Sequence, residues 1–165
     1  MSKNKNLMIK ENFNLAVKNH QEGKIDIAQD LYNQVLKIDP NHTNAHNNLG
    51  VIFKDLGENQ KAKDCFEKVI EINPNYLDAH NNLGNIFKEL GEHQKAKECY
   101  EKAIEINPNH VDTYWNSHGL STDIDGALLI LKKLYKIDSS HIKSKIMISA
   151  LEGYKGDFKR FNELL

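Results

Sequence analysis

Apolar residues recur at helical spacing along most of the chain, and short breaks divide them into paired segments. In one such segment the apolar positions fall on a single helical face: Leu83, Ile86, Phe87 and Leu90. Gly91 follows, and glycine readily adopts the positive φ that a tight turn after a helix prefers. This pattern predicts an amphipathic helix that ends at a glycine turn.

A second amphipathic segment follows this turn. Its apolar stripe consists of Ala96, Tyr100, Ala103 and Ile104. Pro108 ends it, because the residue before a proline is disfavoured in helical geometry. The two segments therefore predict a helical hairpin, with the small residues Gly84 and Ala96 where the paired helices approach closely.

The hairpin pattern is repeated along the chain. Residues 43–76 and 77–110 are identical at 25 of 34 positions, and residues 9–42 form a more divergent copy with its proline in register. Residues 111–141 keep the second-helix pattern but lack three residues of the first helix. The predicted organisation is an N-terminal extension at 1–8, repeats at 9–42, 43–76 and 77–110, a shortened repeat at 111–141, and an incomplete repeat or cap at 142–165.

The last segment, 142–165, has the pattern of a first helix with Gly156 at the predicted turn. Two alternatives remain for residues 157–165. They fold back as a cap over the last apolar face, or the chain is part of a longer protein. An uncapped C-terminal face would also allow self-association.

These positions resemble the tetratricopeptide repeat family. The second copy fills the family pattern with Leu49, Gly50, Phe53, Gly57, Ala62, Phe66, Val69 and Pro74. The third fills it with Leu83, Gly84, Phe87, Gly91, Ala96, Tyr100, Ala103 and Pro108. The chain departs from the pattern where the family often has tryptophan and these copies have His46 and His80, and Asn19 replaces the first-helix aromatic. The resemblance implies an all-α, right-handed superhelical solenoid of antiparallel helix pairs.

The resemblance also implies a concave groove lined by repeat positions two, five, six, nine, twelve and thirteen. Position six carries what we name the asparagine ladder: Asn14, Asn48, Asn82 and Asn116. Either these residues contact a ligand, or they are surface residues inherited by duplication; their agreement in the divergent first and fourth copies favours contact. We expect alanine at Asn48 and Asn82 to leave the fold intact, with no buried partner stranded.

The chemistry of the asparagine ladder suits an extended peptide. A carboxamide offers both donors and an acceptor, so it can bond backbone N–H and C=O groups without reading side chains. Packed helices lie about 9–10 Å apart, which matches roughly three residues of extended chain. A similar asparagine array lines the repeats of O-linked N-acetylglucosamine transferases in this family.

The remaining groove positions indicate a mixed surface. Acidic tails of the kind that chaperone-binding members grip would be repelled, because Asp78 and Asp112 occupy position two. Trp115 is either a stacking anchor or a core plug for the shortened hairpin. The other groove candidates are Asn47 and Asn81 at position five, Asn85 at position nine, and Lys54 and Lys88 at position twelve.

Composition and motif content argue against several classes of partner and of active site. The net charge of -1 and the single arginine, Arg160, argue against nucleic acid and anionic membranes as partners. No signal peptide or membrane span is predicted, so we expect a cytoplasmic protein, with Cys65 and Cys99 as free, half-buried thiols rather than a disulfide. No phosphate loop or nucleophile motif is present in the sequence, and no carboxylate or cysteine stands at ligand spacing from His46 and His80.

The sequence thus predicts a protein–protein interaction scaffold that is not an enzyme and that uses no cofactor or metal. Its partner would be a protein or peptide held in the concave groove. The alternative is an N-terminal substrate-delivery or structural segment of a larger enzyme, such as a glycosyltransferase or methyltransferase.

Overall fold

The computed structural model describes residues 3–163, with side chains as far as residue 156. Within that range the chain forms only helices and turns, so the all-α prediction is confirmed. The helices are α1 Lys3–Gln21, α2 Ile25–Ile38, α3 Thr43–Asp55, α4 Asn59–Ile72, α5 Leu77–Glu89, α6 His93–Ile106, α7 Val111–Ser117, a 3₁₀ turn His118–Leu120, α8 Ile124–Ile137 and α9 Ile142–Glu163. The chain divides into two compact units, Met1–Ile86 and Phe87–Leu165.

Glycine ends the first helix of each of the three full hairpins, as the spacing predicts. Gly23, Gly57 and Gly91 have φ values of 73°, 74° and 75°. At the second hairpin the N–H of Gly57 donates to the carbonyl of Lys54 at 2.9 Å, and the N–H of Glu58 donates to that of Phe53 at 2.8 Å. The left-handed conformation of Gly57 thereby supplies hydrogen-bond donors to carbonyls at the end of α3 that have no donor within the helix.

The second helix of each full hairpin ends two residues before a proline. Asp39, Asn73 and Asn107 have φ values of −131°, −135° and −138° and follow the last residues of α2, α4 and α6. Each of these residues departs from helical geometry, because the ring of the proline that follows crowds it. The predicted helix ends are confirmed.

The core of the first unit lies where the helices of each hairpin meet. Ala16, Ala28 and Ala62 are fully buried, and a Cβ at Gly50 would lie 2.7 Å from the ring of the fully buried Phe66. Only a residue without a side chain allows α3 to approach α4 this closely.

The outward face of α1 carries charged residues at two positions where the second hairpin is apolar, but α1 also exposes Met8 and Leu15. Repeat positions three and ten hold the buried Ala45 and Ile52 in α3, and the exposed Glu11 and Lys18 in α1. Leu15 stands between these two and is 48% exposed. The two charged residues reduce the exposed apolar surface of this terminal repeat but do not remove it.

Asn19 fills the aromatic position of α1 without leaving an unpaired amide. Its side chain is 8% exposed, and Nδ2 donates to the carbonyl of Leu15 at 2.8 Å. The ring of Phe13, also on α1, packs against that of Tyr32 with 5.8 Å between the centroids. The departure from the family pattern is therefore accommodated by a local hydrogen bond.

In the second unit, the shortened hairpin has a first helix of 7 residues followed by the 3₁₀ turn. Nζ of Lys88 donates to the carbonyl oxygen of Asn116 at 2.9 Å. That bond satisfies a carbonyl near the end of the short helix, where intrahelical donors run out. Leu131 and Leu134 of α8 are fully buried and form the core of this unit.

The prediction of a turn at Gly156 is wrong, because α9 continues through it to Glu163. Residues 157–163 extend the helix and do not fold back as a cap; Leu164 and Leu165 lie outside the described residues. A single glycine costs a helix only about 1 kcal/mol relative to alanine, which the rest of α9 sustains.

The face of α9 that would receive a second helix is polar. Lys145, Ser149 and Glu152 occupy the positions that hold His46, Gly50 and Phe53 in α3. Glu152 pairs instead with Lys132 of α8 at 2.6 Å, and Lys155 pairs with Asp125. These ion pairs join α9 to α8.

No helix among residues 3–163 is long and apolar enough to cross a membrane.

Candidate functional site

The asparagine ladder occupies one position on each of four first helices. In the first unit, Asn14 on α1 is exposed, while Asn48 on α3 and Asn82 on α5 are half-buried. In the second unit, Asn116 on α7 is half-buried. The repeat position is thus the same, but the surroundings of the four amides differ.

Asn48 is tied to the preceding hairpin. Its Nδ2 donates to the hydroxyl of Tyr32 at 2.9 Å, and Tyr32 is fully buried on α2. Burial raises the pKa of Tyr32, and the bond from Asn48 opposes that rise. The expectation that Asn48 strands no buried partner is therefore wrong. The signal that sequence reasoning missed is the tyrosine at position 24 of the first copy, one helix before the asparagine.

Asn82 has a different neighbour at the equivalent place. Tyr32 stands 16 residues before Asn48, and the residue 16 positions before Asn82 is Phe66, which has no hydroxyl. Among the described residues, the Asn82 amide makes no hydrogen bond, and the same holds for Asn14. Both amides retain their full capacity for donating and accepting hydrogen bonds.

Position five lies beside the asparagine ladder and is more deeply buried. Asn47 on α3 is 8% exposed, and Asn81 on α5 is 9% exposed. Oδ1 of Asn47 is buried and has no hydrogen-bond partner among the described residues. An unsatisfied buried acceptor costs about 1–3 kcal/mol, and a ligand would reach this oxygen only if the Asn47 side chain moved.

Trp115 holds position five in the shortened hairpin. Its ring lies 4.6 Å from that of His118 and 5.3 Å from that of His141, measured between centroids. The side chain is half-buried. Two imidazoles thus pack against the indole within the second unit, as a plug for a shortened hairpin would require.

The charged groove candidates form weak or structural contacts. Lys54 lies 3.8 Å from the carboxylate of its neighbour Asp55, a surface pair that contributes little. The Lys88 ammonium donates a hydrogen bond to the backbone of α7. Asp78 and Asp112 are exposed and Asn85 is half-buried.

Histidine at position four holds a turn. Nε2 of His46 donates to the carbonyl of Pro40 at 2.9 Å, and Nε2 of His80 donates to that of Pro74 at 2.8 Å. In the shortened hairpin the hydroxyl of Tyr114 donates to Pro108 at 3.1 Å. Each bond secures the proline turn that precedes a first helix, which explains histidine at this position better than metal binding does.

Cys65 and Cys99 are free and half-buried, as predicted. Burial raises the pKa of the Cys65 thiol to about 11, with a smaller contribution from Asp64. No group of three or more histidine, cysteine or carboxylate side chains in the described part of the chain is placed to hold a metal ion.

Glycine turns, proline turns and position-four hydrogen bonds that recur every 34 residues define a helical-hairpin repeat protein. A sequence profile described as "Tetratricopeptide repeat" matches residues 43–76 and 77–110, and one described as "TPR repeat" matches residues 19–57. The chain belongs to the tetratricopeptide repeat family. A search of curated protein sequences found no match.

Solved structures share this fold. The chain is similar to MamA, with a TM-score of 0.79 and 24% identity, covering 90% of this chain and 83% of that one. It is similar to YrrB, described as a TPR protein with an unusual peptide-binding site, at 0.73 and 20%, covering 88% and 76%. It is also similar to a Thermobaculum terrenum O-GlcNAc transferase mutant at 0.77 and 18%, covering 82% of this chain and 27% of that one. The predicted family and fold class are confirmed.

Proposed function

We propose that the protein is an interaction scaffold that binds an extended peptide segment of a partner protein along its first helices. Tetratricopeptide repeat proteins serve in protein interaction, and the similar protein YrrB is described as having a peptide-binding site. A cytoplasmic location is part of this proposal, as is the absence of catalysis.

The observation that carries the proposal is the unpaired amide of Asn82. Among the described residues no hydrogen bond involves this side chain, although asparagine is a poorer helix former than alanine. Asn14 stands in the same situation on α1. Two in-register amides with free donors and acceptors suit the backbone of an extended chain, which offers both groups at every residue.

The charges near these amides favour a neutral or mixed segment. Asp78 is exposed on α5, and Lys54 has its own carboxylate neighbour in Asp55. Position two of the third copy thus carries an acidic residue, which would repel a terminal carboxylate. An internal segment, read through its backbone, fits this surface better than an acidic tail.

The similarity to the O-GlcNAc transferase favours a second candidate function. The aligned part covers 27% of that longer chain, which is a proportion expected of a repeat segment attached to a catalytic domain. In that case the same amides would present a substrate segment to an enzyme. The sequence of the complete gene distinguishes the two functions.

A random-peptide display library selected on the full chain, followed by titration of the enriched synthetic peptide, tests the proposal. N82A should weaken binding by about 0.5–1.5 kcal/mol for each neutral hydrogen bond lost. N33A is the matched control, because Asn33 is an exposed asparagine on the second helix α2. Equal affinities for wild type, N82A and N14A would refute the proposal.

A further inference from the structure

Helix α9 carries an exposed apolar face, which we name the α9 stripe. It consists of Ile142, Ile146, Ala150 and Gly153, which recur every three or four residues and therefore share one side of the helix. Ile142 is 71% exposed and Ile146 is 64% exposed, the highest values among the large apolar side chains that the structure describes. Single exposed apolar residues are common, but a continuous exposed run marks an interaction surface.

The α9 stripe lies on the opposite side of the helix from α8. The side that packs on α8 carries the fully buried Ser144 and the half-buried Ile148 and Leu151. These residues stand about half a turn around the helix axis from the α9 stripe. Helix α9 thus has apolar residues on two sides, and α8 covers one of them. A surface helix needs only one apolar side.

Two lysines border the α9 stripe. Lys143 and Lys145 are exposed, and the side chain of neither makes a hydrogen bond or an ion pair among the described residues. The nearby carboxylate of Glu152 is already paired with Lys132 at 2.6 Å. The border of the α9 stripe is therefore positively charged, and charge complementarity favours a partner with acidic side chains beside its apolar ones.

A second copy of this chain fits the α9 stripe less well. The exposed Leu7 and Met8 of α1 are flanked by the exposed Lys5 and Lys10, so contact with α1 would bring lysines against lysines. Two α9 stripes in contact would do the same. Like charges at an interface repel one another, which favours a different and acidic partner.

The α9 stripe suits a helix better than an extended segment. Its four residues have no polar side-chain atom, so an extended segment lying on it would leave backbone N–H and C=O groups unpaired. A helix satisfies these groups internally. Ala150 and Gly153 add little or no side chain, and a Cβ at Gly153 would meet nothing within 4 Å, so a second helix can approach closely.

We infer that the α9 stripe docks an amphipathic helix of a partner protein, with acidic side chains of that helix beside Lys143 and Lys145. This interaction surface goes beyond the proposed peptide-binding function and does not depend on the asparagine ladder. Asn82 lies on α5, in the other compact unit, so N82A should leave helix docking unchanged.

The test uses a display library of helical peptides selected on the full chain. Each peptide has about 18 residues, or five helical turns, with leucine fixed along one face and the flanking positions randomised. Selection should enrich Asp and Glu over Lys and Arg at the flanking positions. The enriched peptide, synthesised and titrated, should gain helical circular dichroism when it binds.

Variants of the α9 stripe locate the binding. I146S should weaken the enriched peptide about 5- to 20-fold, because the docked helix buries this side chain. I27S is the matched control, since Ile27 is a 50% exposed isoleucine on α2. K143E should weaken the acidic peptide about 2- to 10-fold. G153Q should weaken it as well, although the free protein has room for the added side chain.

Thermal melts verify that each variant is folded. Equal affinities of I146S and wild type, an equal loss in I27S, unchanged binding in K143E and G153Q, or enriched peptides without acidic flanks would overturn the inference. A free protein that is a dimer in analytical ultracentrifugation, and that I146S dissociates, would make a second copy the occupant and would also overturn it. Because N82A tests the asparagine ladder and I146S tests the α9 stripe, failure of one proposal is distinguishable from failure of the other.

Discussion

At the scale of single residues, the same residue at the same repeat position makes different contacts in different copies. Asn48 joins two hairpins through the hydroxyl of the buried Tyr32, whereas Asn82 makes no hydrogen bond among the described residues. Sequence repetition identified both as one set because their spacing is the same. What separates them is the residue 16 positions before each, tyrosine in one case and phenylalanine in the other.

This difference predicts opposite effects of alanine on stability. N48A should lower the free energy of unfolding by about 1–2 kcal/mol, because it leaves a buried hydroxyl without its partner. N82A should leave stability unchanged or raise it by a few tenths of a kcal/mol, because alanine is the better helix former. Urea unfolding followed by circular dichroism measures both. Equal losses in the two variants would contradict the assigned roles, and Y32F/N48A should recover part of the loss.

Burial also sets the reactivity of Cys65. With a pKa of about 11, its thiolate fraction at pH 8 should be roughly 100-fold below that of an exposed thiol. Alkylation by iodoacetamide should therefore be slow in the folded protein and should accelerate as the pH rises toward 11. The raised pKa favours the neutral thiol in the folded state, so its contribution to stability is full below pH 9 and falls above it. Rapid alkylation of Cys65 at pH 8 under native conditions would show that burial does not govern this thiol.

At the scale of elements, the sequence predicts helices and turns well where a turn residue and a packed partner agree. Gly57 ends its helix as expected because α4 follows and packs on α3 with an apolar stripe that includes Ala62 and Phe66. Gly156 has the same register but no such partner, since α9 carries polar residues on the corresponding face. Register alone therefore predicted a turn that the packing does not support.

Two glycine substitutions separate close packing from helix propensity. G50A should cost about 1–3 kcal/mol, because its Cβ would lie 2.7 Å from the buried ring of Phe66. G153A is the matched control in α9, where an added Cβ meets nothing within 4 Å, and it should gain up to about 1 kcal/mol. Thermal melts measure the two effects. A neutral G50A would mean that α3 and α4 adjust freely, contrary to the packing described.

At the scale of the whole molecule, stability in stacked repeats follows nearest-neighbour contacts. The hairpins at 43–110 carry the closest match to the family pattern, while α1 leaves Leu7, Met8 and Leu15 exposed. The sequence predicts this ranking because the repeats can be aligned with one another. It does not predict which groove amides are hydrogen-bonded, because that depends on contacts between neighbouring hairpins.

Hydrogen exchange should follow this ranking. Backbone amides in Leu83–Leu90 should exchange more slowly than those in Leu7–Val17, because the second segment belongs to the terminal copy and exposes Leu7, Met8 and Leu15. Mass spectrometry of peptides from the exchanged protein measures both segments in one experiment. Faster exchange in Leu83–Leu90 would contradict the nearest-neighbour description.

The central claim is that the unpaired amides of the asparagine ladder bind peptide backbone. The most direct measurement is a calorimetric titration of wild type, N82A and N33A with the display-selected peptide, each variant first shown to melt like wild type. The account predicts that N82A binds about 2- to 13-fold more weakly and that N33A binds like wild type. Unchanged affinity in a folded N82A, or an equal loss in N33A, would contradict it.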